Sequence, residues 1–440
     1  MKRFLLVLLA LGALLLAGWL LLRQPVADTT RAALKAYPVY SFVRTRNDTL
    51  LRLAHAGESG SNRLVHRGDL SGPRDRWITT PNNDTLYSTA FLDLASGPVE
   101  LALPKGDGRY YSVAVMNART DNDVVLRETD GDGRVIIAFG AGKPGAPAGA
   151  EEPRRLSVAT DEAWLLIRTL VDGEADLPAA RAVQQGFVLT VPPASVRPPR
   201  DAAALPVLPD PATLLQRANP LIAANPHLQD KSLAATGYGG GADAFDGLPL
   251  WRQWLWRLLL PRIFEQMKAV IAQGSLATGD GWSASPPGLG TAEASDAVRA
   301  GVALAGLGAL PATEAVYWSA TQDAARADLD GANRYSLTIP ANVPVRAFWS
   351  LSMYERLPDG RLFYVDNPID RYAVGNRTRG LTPNADGSLT LILSPQDPGG
   401  GANWLPTPKA ARFTLVFRAY RPDAPILSGS WRLPAVERLE

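Results

Sequence analysis

The chain has 440 residues, 46% of them hydrophobic, which is enough for two packed domains and rules out a disordered protein. Its 45 Lys and Arg nearly balance 43 Asp and Glu, and no basic run or basic helix face tracks along it, so nucleic acid is not an expected partner. Cysteine is absent, which excludes disulfides, thiolate metal sites, a cysteine nucleophile and a lipidated cysteine anchor.

Lys2 and Arg3 precede an uncharged, mostly apolar run from Phe4 to Leu22, closed by Arg23. That run is long enough to span a bilayer as a helix, and Trp19 to Pro25 offers no small-residue cleavage site, so an uncleaved anchor over residues 1–27 is expected. With the basic residues inside, the body would face the periplasm or cell exterior, anchored in the inner membrane.

An N-terminal β domain is expected over 28–192. From Ala32 to Ala56 apolar residues recur at helical spacing, with a break expected near Pro38, and this helix should cap the first sheet. Thr80-Pro81-Asn82-Asn83-Asp84 then reads as a rigid turn, with Thr80 pushed towards extended geometry and the Asx side chains bonding their own backbone. Short apolar runs follow from Leu86 to Phe139, separated by Ser96-Gly97-Pro98, Lys105-Gly106-Asp107-Gly108 and Asp130-Gly131-Asp132-Gly133, which suit hairpins of an antiparallel sandwich or barrel. Leu177 to Gly186 reads as a short helix before a strand at Phe187 to Val191, and Gly140 to Gly149 as a loop.

Residues 193–314 begin with a proline-rich linker and continue as helices at Asp210 to Ala224, Leu250 to Gln273 and Thr291 to Leu307. Trp251, Trp254 and Trp256 suit packing or a membrane-proximal position. From 315 to 440 the pattern returns to strands, and a second β unit resembling a jelly roll is expected. The fold class is thus mainly β: two antiparallel β-sandwich or jelly-roll-like domains joined by a helical middle, plus one N-terminal transmembrane helix.

Several segments resemble a known two-domain family. Thr80-Pro81-Asn82-Asn83-Asp84-Thr85-Leu86-Tyr87 and Gly108-Arg109-Tyr110-Tyr111-Ser112-Val113 resemble domain of unknown function 1254. Leu329 to Tyr335, Ala347 to Tyr354, Asp366 to Tyr372, Asn384 to Leu389 and Ala402 to Pro406 resemble its usual C-terminal companion, domain of unknown function 1214. The resemblance implies two β domains with helices between them, exported or envelope-associated, and no assigned reaction. The helical middle departs from the usual connector, so nothing is carried over for it.

His55, His66 and His227 stand in no metal-ligand spacing, so no metal and no cofactor is expected. No nucleophile elbow, phosphate loop or dinucleotide fingerprint occurs. Asp130 to Gly133 has calcium-like composition without the closing glutamate of an EF-hand. What remains is a set of amides, carboxylates, arginines and aromatics at strand ends: Asn82, Asn83, Tyr87, Asn117 and Arg119 in the first domain, Asn333, Arg334, Trp349, Tyr354, Asn367, Arg371, Asn403 and Trp404 in the second. Such residues suit a polar small molecule or glycan, and equally suit the pinning of loops. The expected function is a membrane-anchored envelope protein that binds such a ligand. Two alternatives stand beside it. One is a periplasmic hydrolase of a glycan, ester or amide, with Asp84, Asp366 or Asp370 supplying the carboxylates and Arg119 or Arg371 stabilising negative charge. The other is a structural partner in an envelope complex.

Overall fold

A computed structural model describes residues 2–55, 60–76, 79–140, 153–192, 203–274, 276–277, 280–358, 360–400 and 403–440, with the side chains of 2–20, 55, 270–274 and 276–277 outside the described set. The chain opens with α1 (Lys2–His55), which runs through Pro25 and Pro38 without a break. The interruption expected at Pro38 does not occur. Ala32, Ala33, Ala36, Tyr37, Val39, Tyr40 and Phe42 are all buried around that proline, and packing on this scale outweighs the few kcal/mol, about 3, that an interior proline costs. The transmembrane segment expected over Phe4 to Leu22 falls mostly outside the described side chains; among the described residues no helix is long and apolar enough to cross a membrane.

The first β unit contains β1 (Val65–Arg67), β2 (Thr85–Asp93), β3 (Val99–Leu103), β4 (Tyr111–Asn117), β5 (Asn122–Arg127), β6 (Gly133–Phe139), β7 (Arg154–Val158), β8 (Glu162–Leu170), α2 (Leu177–Gln185) and β9 (Val188–Thr190). Five strands form an antiparallel sheet in the order β1-β2-β8-β4-β5, and four form a second sheet in the order β7-β6-β3-β9, in which β6 and β7 are parallel. Alternate residues such as Leu92, Leu101, Val113, Val115, Ile137 and Ile167 fill the space between the sheets. Three turns expected to close hairpins instead carry the chain from one sheet to the other, at Ser96 to Pro98, Lys105 to Gly108 and Asp130 to Gly133. Period-two alternation states which face of a strand is apolar and is silent on which strand lies beside it. The expected loop at Gly140 to Gly149 and the linker at 193–202 lie outside the described residues, apart from Gly140.

Helices α3 (Pro211–Ala224), α4 (Leu250–Gly274) and α5 (Asp296–Ala305) pack with α1 over the other face of the first sheet, where Phe91, Met116, Trp164 and Leu166 meet Tyr37, Phe42, Leu214, Trp256 and Phe264. Asp210 caps α3 by accepting from the backbone of Ala212 and Thr213. Two short strands, β10 (Leu276–Ala277) and β11 (Trp282–Ala284), leave this helical middle and join the sheet of the second unit.

The second unit comprises β12 (Ala315–Ala320), β13 (Arg334–Ile339), β14 (Trp349–Arg356), β15 (Leu362–Phe363), β16 (Ala373–Gly375), β17 (Leu389–Ser394), β18 (Trp404–Pro406), β19 (Phe413–Tyr420), α6 (Ala424–Leu427) and β20 (Glu437–Leu439). One sheet runs β10-β11-β12-β19-β14-β15 with β16 also on β14, and the other runs β18-β17-β13-β20. Trp318, Leu337, Leu351, Leu391, Leu415 and Phe417 make the core between them. The molecule is therefore mainly β, with mixed sheets and helices. A separate buried cluster of Tyr110, Ala114, Leu170, Leu310, Ala315, Phe348 and Tyr420 joins the first unit to the second.

Candidate functional site

The turn before β2 is built at that junction. Thr80 has φ 54, a left-handed conformation that a β-branched residue adopts only when its surroundings force it. The extended geometry expected there is overridden, because its N–H donates to the Leu362 carbonyl of the second unit at 2.9 Å and its own carbonyl faces Arg418 at 3.5 Å. Asn82 Oδ1 accepts from Asp84 N at 2.6 Å, the expected Asx turn, while Asn82 Nδ2 donates to Tyr420 Oη at 2.8 Å. Tyr354 Oη donates to the Pro81 carbonyl at 2.5 Å, Tyr364 Oη donates to Asn83 Oδ1 at 3.3 Å, and Ser350 Oγ donates to Asp84 Oδ2 at 2.6 Å. One turn of the first unit is thus held by three strands or strand ends of the second. Replacing Asn82 by alanine removes both of its bonds and leaves the Asp84 amide without its acceptor. The expected loss is about 1–3 kcal/mol of folding stability, read as a lower urea midpoint.

Two buried arginines lie at this junction, Arg418 beside the turn and Arg168 beside Tyr87. Arg418, on β19, is 4% exposed; its Nη1 donates to Ser352 Oγ at 2.8 Å and its Nη2 to Tyr354 Oη at 2.7 Å. Arg168, on β8, is 6% exposed, lies over the Tyr87 ring at 5.5 Å, and donates from Nη2 to the Gly308 carbonyl at 2.5 Å. Its Nη1 is buried and meets no hydrogen-bond partner among the described residues. The carboxylate of this cluster is Asp84, which burial pushes up from the ordinary Asp range against the opposing pull of Arg418 and Ser350. Burial likewise raises Tyr317, Tyr364 and Tyr420, so these phenols stay neutral at physiological pH. Asp84, Tyr87 and Tyr317 nonetheless keep partial exposure. Gly306 to Leu310 packs alongside: Gly306 sits by Thr79, Gly308 by Arg168, and the Leu310 amide donates to Tyr317 Oη at 3.5 Å.

The structure brings Asn82, Asn83, Asp84, Tyr87 and Tyr354 to one place and disperses the other residues singled out from the sequence. Asn117 shapes its own loop, accepting from Arg119 N and donating to Asp123 Oδ1, both at 2.8 Å. Arg119 reaches Asp296 at 3.7 Å and Asp121 at 3.8 Å, and Asp121 is paired with buried Arg299 at 2.8 Å. Asn333 bonds Tyr335 and Arg438, Arg334 is an exposed strand residue, and Trp349 stacks on Phe417 within the core. Asn403 ties the Thr382 and Thr390 carbonyls together, and Trp404 donates to the Ser394 carbonyl. Asp366 and Asp370 are exposed; Asp370 accepts from Tyr372 Oη at 2.8 Å. Asn367 bonds the Arg371 backbone and Arg371 Nη1 donates to the Trp404 carbonyl, beside a cleft lined also by Asp366 and Tyr372. That cleft, and another beside Asp121 and Arg299, each leave about 10 Å³, room for roughly one water. Among the described residues no three His, Asp or Glu side chains gather as a metal site.

Sequence reasoning missed Arg168, Ser350, Tyr317, Tyr364, Arg418 and Tyr420. A signal existed for the arginines, since each interrupts an apolar strand, Trp164-Leu165-Leu166-Ile167-Arg168 and Leu415-Val416-Phe417-Arg418. A cation in a strand buried on both faces needs a reason to be there.

One carboxylate outside this cluster makes pH a probe of the fold. Asp123 accepts from Asn117 Nδ2 and Ala159 N, yet burial raises its pKa to about 6. The folded chain holds this proton more tightly than the unfolded chain does, so the group's contribution to stability grows as pH falls from about 6 towards 4. The gain over that window is at most about 3 kcal/mol. Urea titrations at pH 7 and pH 5 should show that Asp123→Asn lowers the stability at pH 5 relative to pH 7 compared with the wild type.

Comparison with known proteins identifies two domains of the chain. Residues 61–191 match the profile described as Protein of unknown function (DUF1254), and residues 314–424 match Protein of unknown function (DUF1214). The chain belongs to this two-domain DUF1254–DUF1214 family. The asparagine-rich turn of the DUF1254 domain is thus the part that docks on the β14–β19 face of the DUF1214 domain. The crystal structure of the VPA0106 protein from Vibrio parahaemolyticus shares the fold, with a TM-score of 0.63 at 19% identity over 94% of this chain and 100% of that one. An uncharacterised protein from Burkholderia cenocepacia aligns over 96% of this chain and 99% of its own, with a TM-score of 0.44 at 15% identity. No curated protein matches significantly.

Proposed function

We infer that this DUF1254–DUF1214 protein binds a small molecule carrying a carboxylate or another oxyanion at the junction of its two β units, with the body held at a membrane by the Phe4 to Leu22 helix. One observation carries the ligand reading: the buried Nη1 of Arg168, which meets no acceptor among the described residues, at a junction where the neighbouring groups are the phenols Tyr87, Tyr317, Tyr420 and Tyr110. A buried guanidinium nitrogen without an acceptor is costly, and a ligand oxyanion supplies that acceptor and a countercharge. Tyr87, Tyr317 and Asp84 line the solvent side and suit the polar remainder of such a ligand. The membrane part rests on the unbroken apolar run after Lys2 and Arg3, which favours a body on the far side of the cytoplasmic membrane.

A second reading, hydrolysis at the same junction, is favoured by the upward shift of Asp84 beside Arg418, since a carboxyl whose pKa burial raises is better suited to general-acid work. A thermal-shift screen of the full chain against mono- and dicarboxylates, phosphate esters and neutral sugars tests the proposal. A rise in midpoint confined to anionic compounds supports it; a response to neutral sugars alone, or none at all, sinks it. Turnover of a stabilising ester or amide, lost in Asp84→Asn, would move the protein to the second reading.

A further inference from the structure

We propose that the N-terminal half of α4 is a membrane-surface contact, seated in the headgroup region of an anionic bilayer beside the anchor; this rests on the anchor reading given above. Along α4, Leu255, Trp256, Leu260, Ile263, Phe264 and Met267 face the helical core. The opposite stripe is apolar too. Leu250 is 81% exposed, Trp251 47% and Trp254 63%, at spacings that place them on one side of a helix. Soluble surfaces rarely carry two exposed tryptophans one turn apart, whereas the lipid–water boundary favours them, because an indole buries its ring and keeps its N–H near water. Arg252, Arg257 and Arg262 flank the stripe, with no carboxylate on α4 before Glu265, which complements anionic lipid.

The position of the stripe selects a membrane over another occupant. Tyr37 of α1 meets Phe264 of α4 edge to face at 5.4 Å. Towards the start of both helices, Arg31 and Lys35 hold Asp230, and Trp256 donates to the Thr236 carbonyl of the same short segment. The helices therefore run in the same sense. At 1.5 Å per residue, Trp254 stands roughly level with residue 27 of α1, and Trp251 with about residue 24. That is where the apolar run Phe4 to Leu22 ends at Arg23, and where Leu21 is still 76% exposed. The two tryptophans thus stand at the height where an anchored helix would leave the lipid.

The cysteine-free chain permits a direct test. In the full chain, Trp254→Cys and, as a reference, Lys409→Cys are labelled with an environment-sensitive dye and reconstituted into phosphatidylcholine vesicles containing phosphatidylglycerol. Flotation after alkaline extraction reads the anchor separately. The expected result is that the chain floats, that headgroup-level spin-labelled lipid quenches the dye at 254, and that iodide quenches it at least threefold less than the dye at 409. If the chain floats and iodide reaches both dyes equally, the surface contact is overturned while the anchor stands. If it fails to float, anchor and contact fall together. Shielding of position 254 that scales with the protein-to-lipid ratio would assign the stripe to a second copy of the chain and also overturn the proposal.

Discussion

Arg168→Met is expected to raise the melting temperature of the ligand-free protein and to abolish its response to any anionic ligand. The two effects have one cause. In the ligand-free chain the guanidinium is buried, one terminal nitrogen meets no acceptor among the described residues, and methionine of similar length removes that desolvated charge, a gain of about 1–3 kcal/mol. The same substitution deletes the group on which the oxyanion would sit, and a lost charge-assisted hydrogen bond in a closed site costs about 2–5 kcal/mol of affinity, a factor of about 30 or more in Kd. Measuring the midpoint with and without each stabilising anion separates the two effects. A variant that is more stable and unresponsive supports the ligand reading. A variant that is less stable, or that keeps the full response, shows that Arg168 serves packing alone through Tyr87 and Gly308. Arg418 offers a contrast, because its bonds to Ser352 and Tyr354 are satisfied and Asp84 lies nearby, so Arg418→Met should destabilise the fold.

Gly331→Ala should be among the most damaging single-methyl additions to the second unit. A Cβ built at Gly331 would lie 1.7 Å from the Pro408 carbonyl oxygen and 3.2 Å from that of Ala411. Neither atom belongs to a flexible side chain, so the backbone itself must yield. The glycine is also stitched in place: its N–H donates to Ala411 O at 2.9 Å and its carbonyl accepts from Thr407 Oγ1 at 3.1 Å. Moving either segment to relieve the clash breaks those bonds, and the combined loss should reach about 3–5 kcal/mol, visible as a fall in the urea midpoint or as failure to accumulate. Gly387→Ala is the control for a change in glycine conformation without a backbone collision, since its Cβ would meet only the Ala341 side chain at 3.4 Å; its left-handed φ makes a smaller loss expected.

The segment Leu329 to Tyr335 was legible as a family motif, and the close approach of Gly331 gives one of its positions a physical meaning. The turn from Pro81 to Asp84 was legible in the same way: the Asx bond from Asn82 to Asp84 is local, so neighbouring residues suffice to specify it. The tyrosines and serines that receive this turn sit more than 260 positions away, and no local pattern connects them to it. Asp366, Asn403 and Asn333 show the reverse case. They have the composition of a binding site, but the fold spreads them along an exposed cleft and two loop stitches.

By itself the sequence determined the mainly β character, the helical middle, most strand positions, the apolar N-terminal run and the family, because alternation, helical periodicity and turn chemistry are properties of neighbouring residues. Tertiary structure alone decided that three turns cross between sheets, that Pro38 leaves α1 unbroken, that Thr80 takes a left-handed conformation, and that Arg418 is brought near Asp84. Each of these depends on contacts between segments far apart in the chain. Their energies, a buried helix face, an interdomain hydrogen bond or a desolvated charge, exceed the local preferences of about 1–3 kcal/mol that the sequence displays.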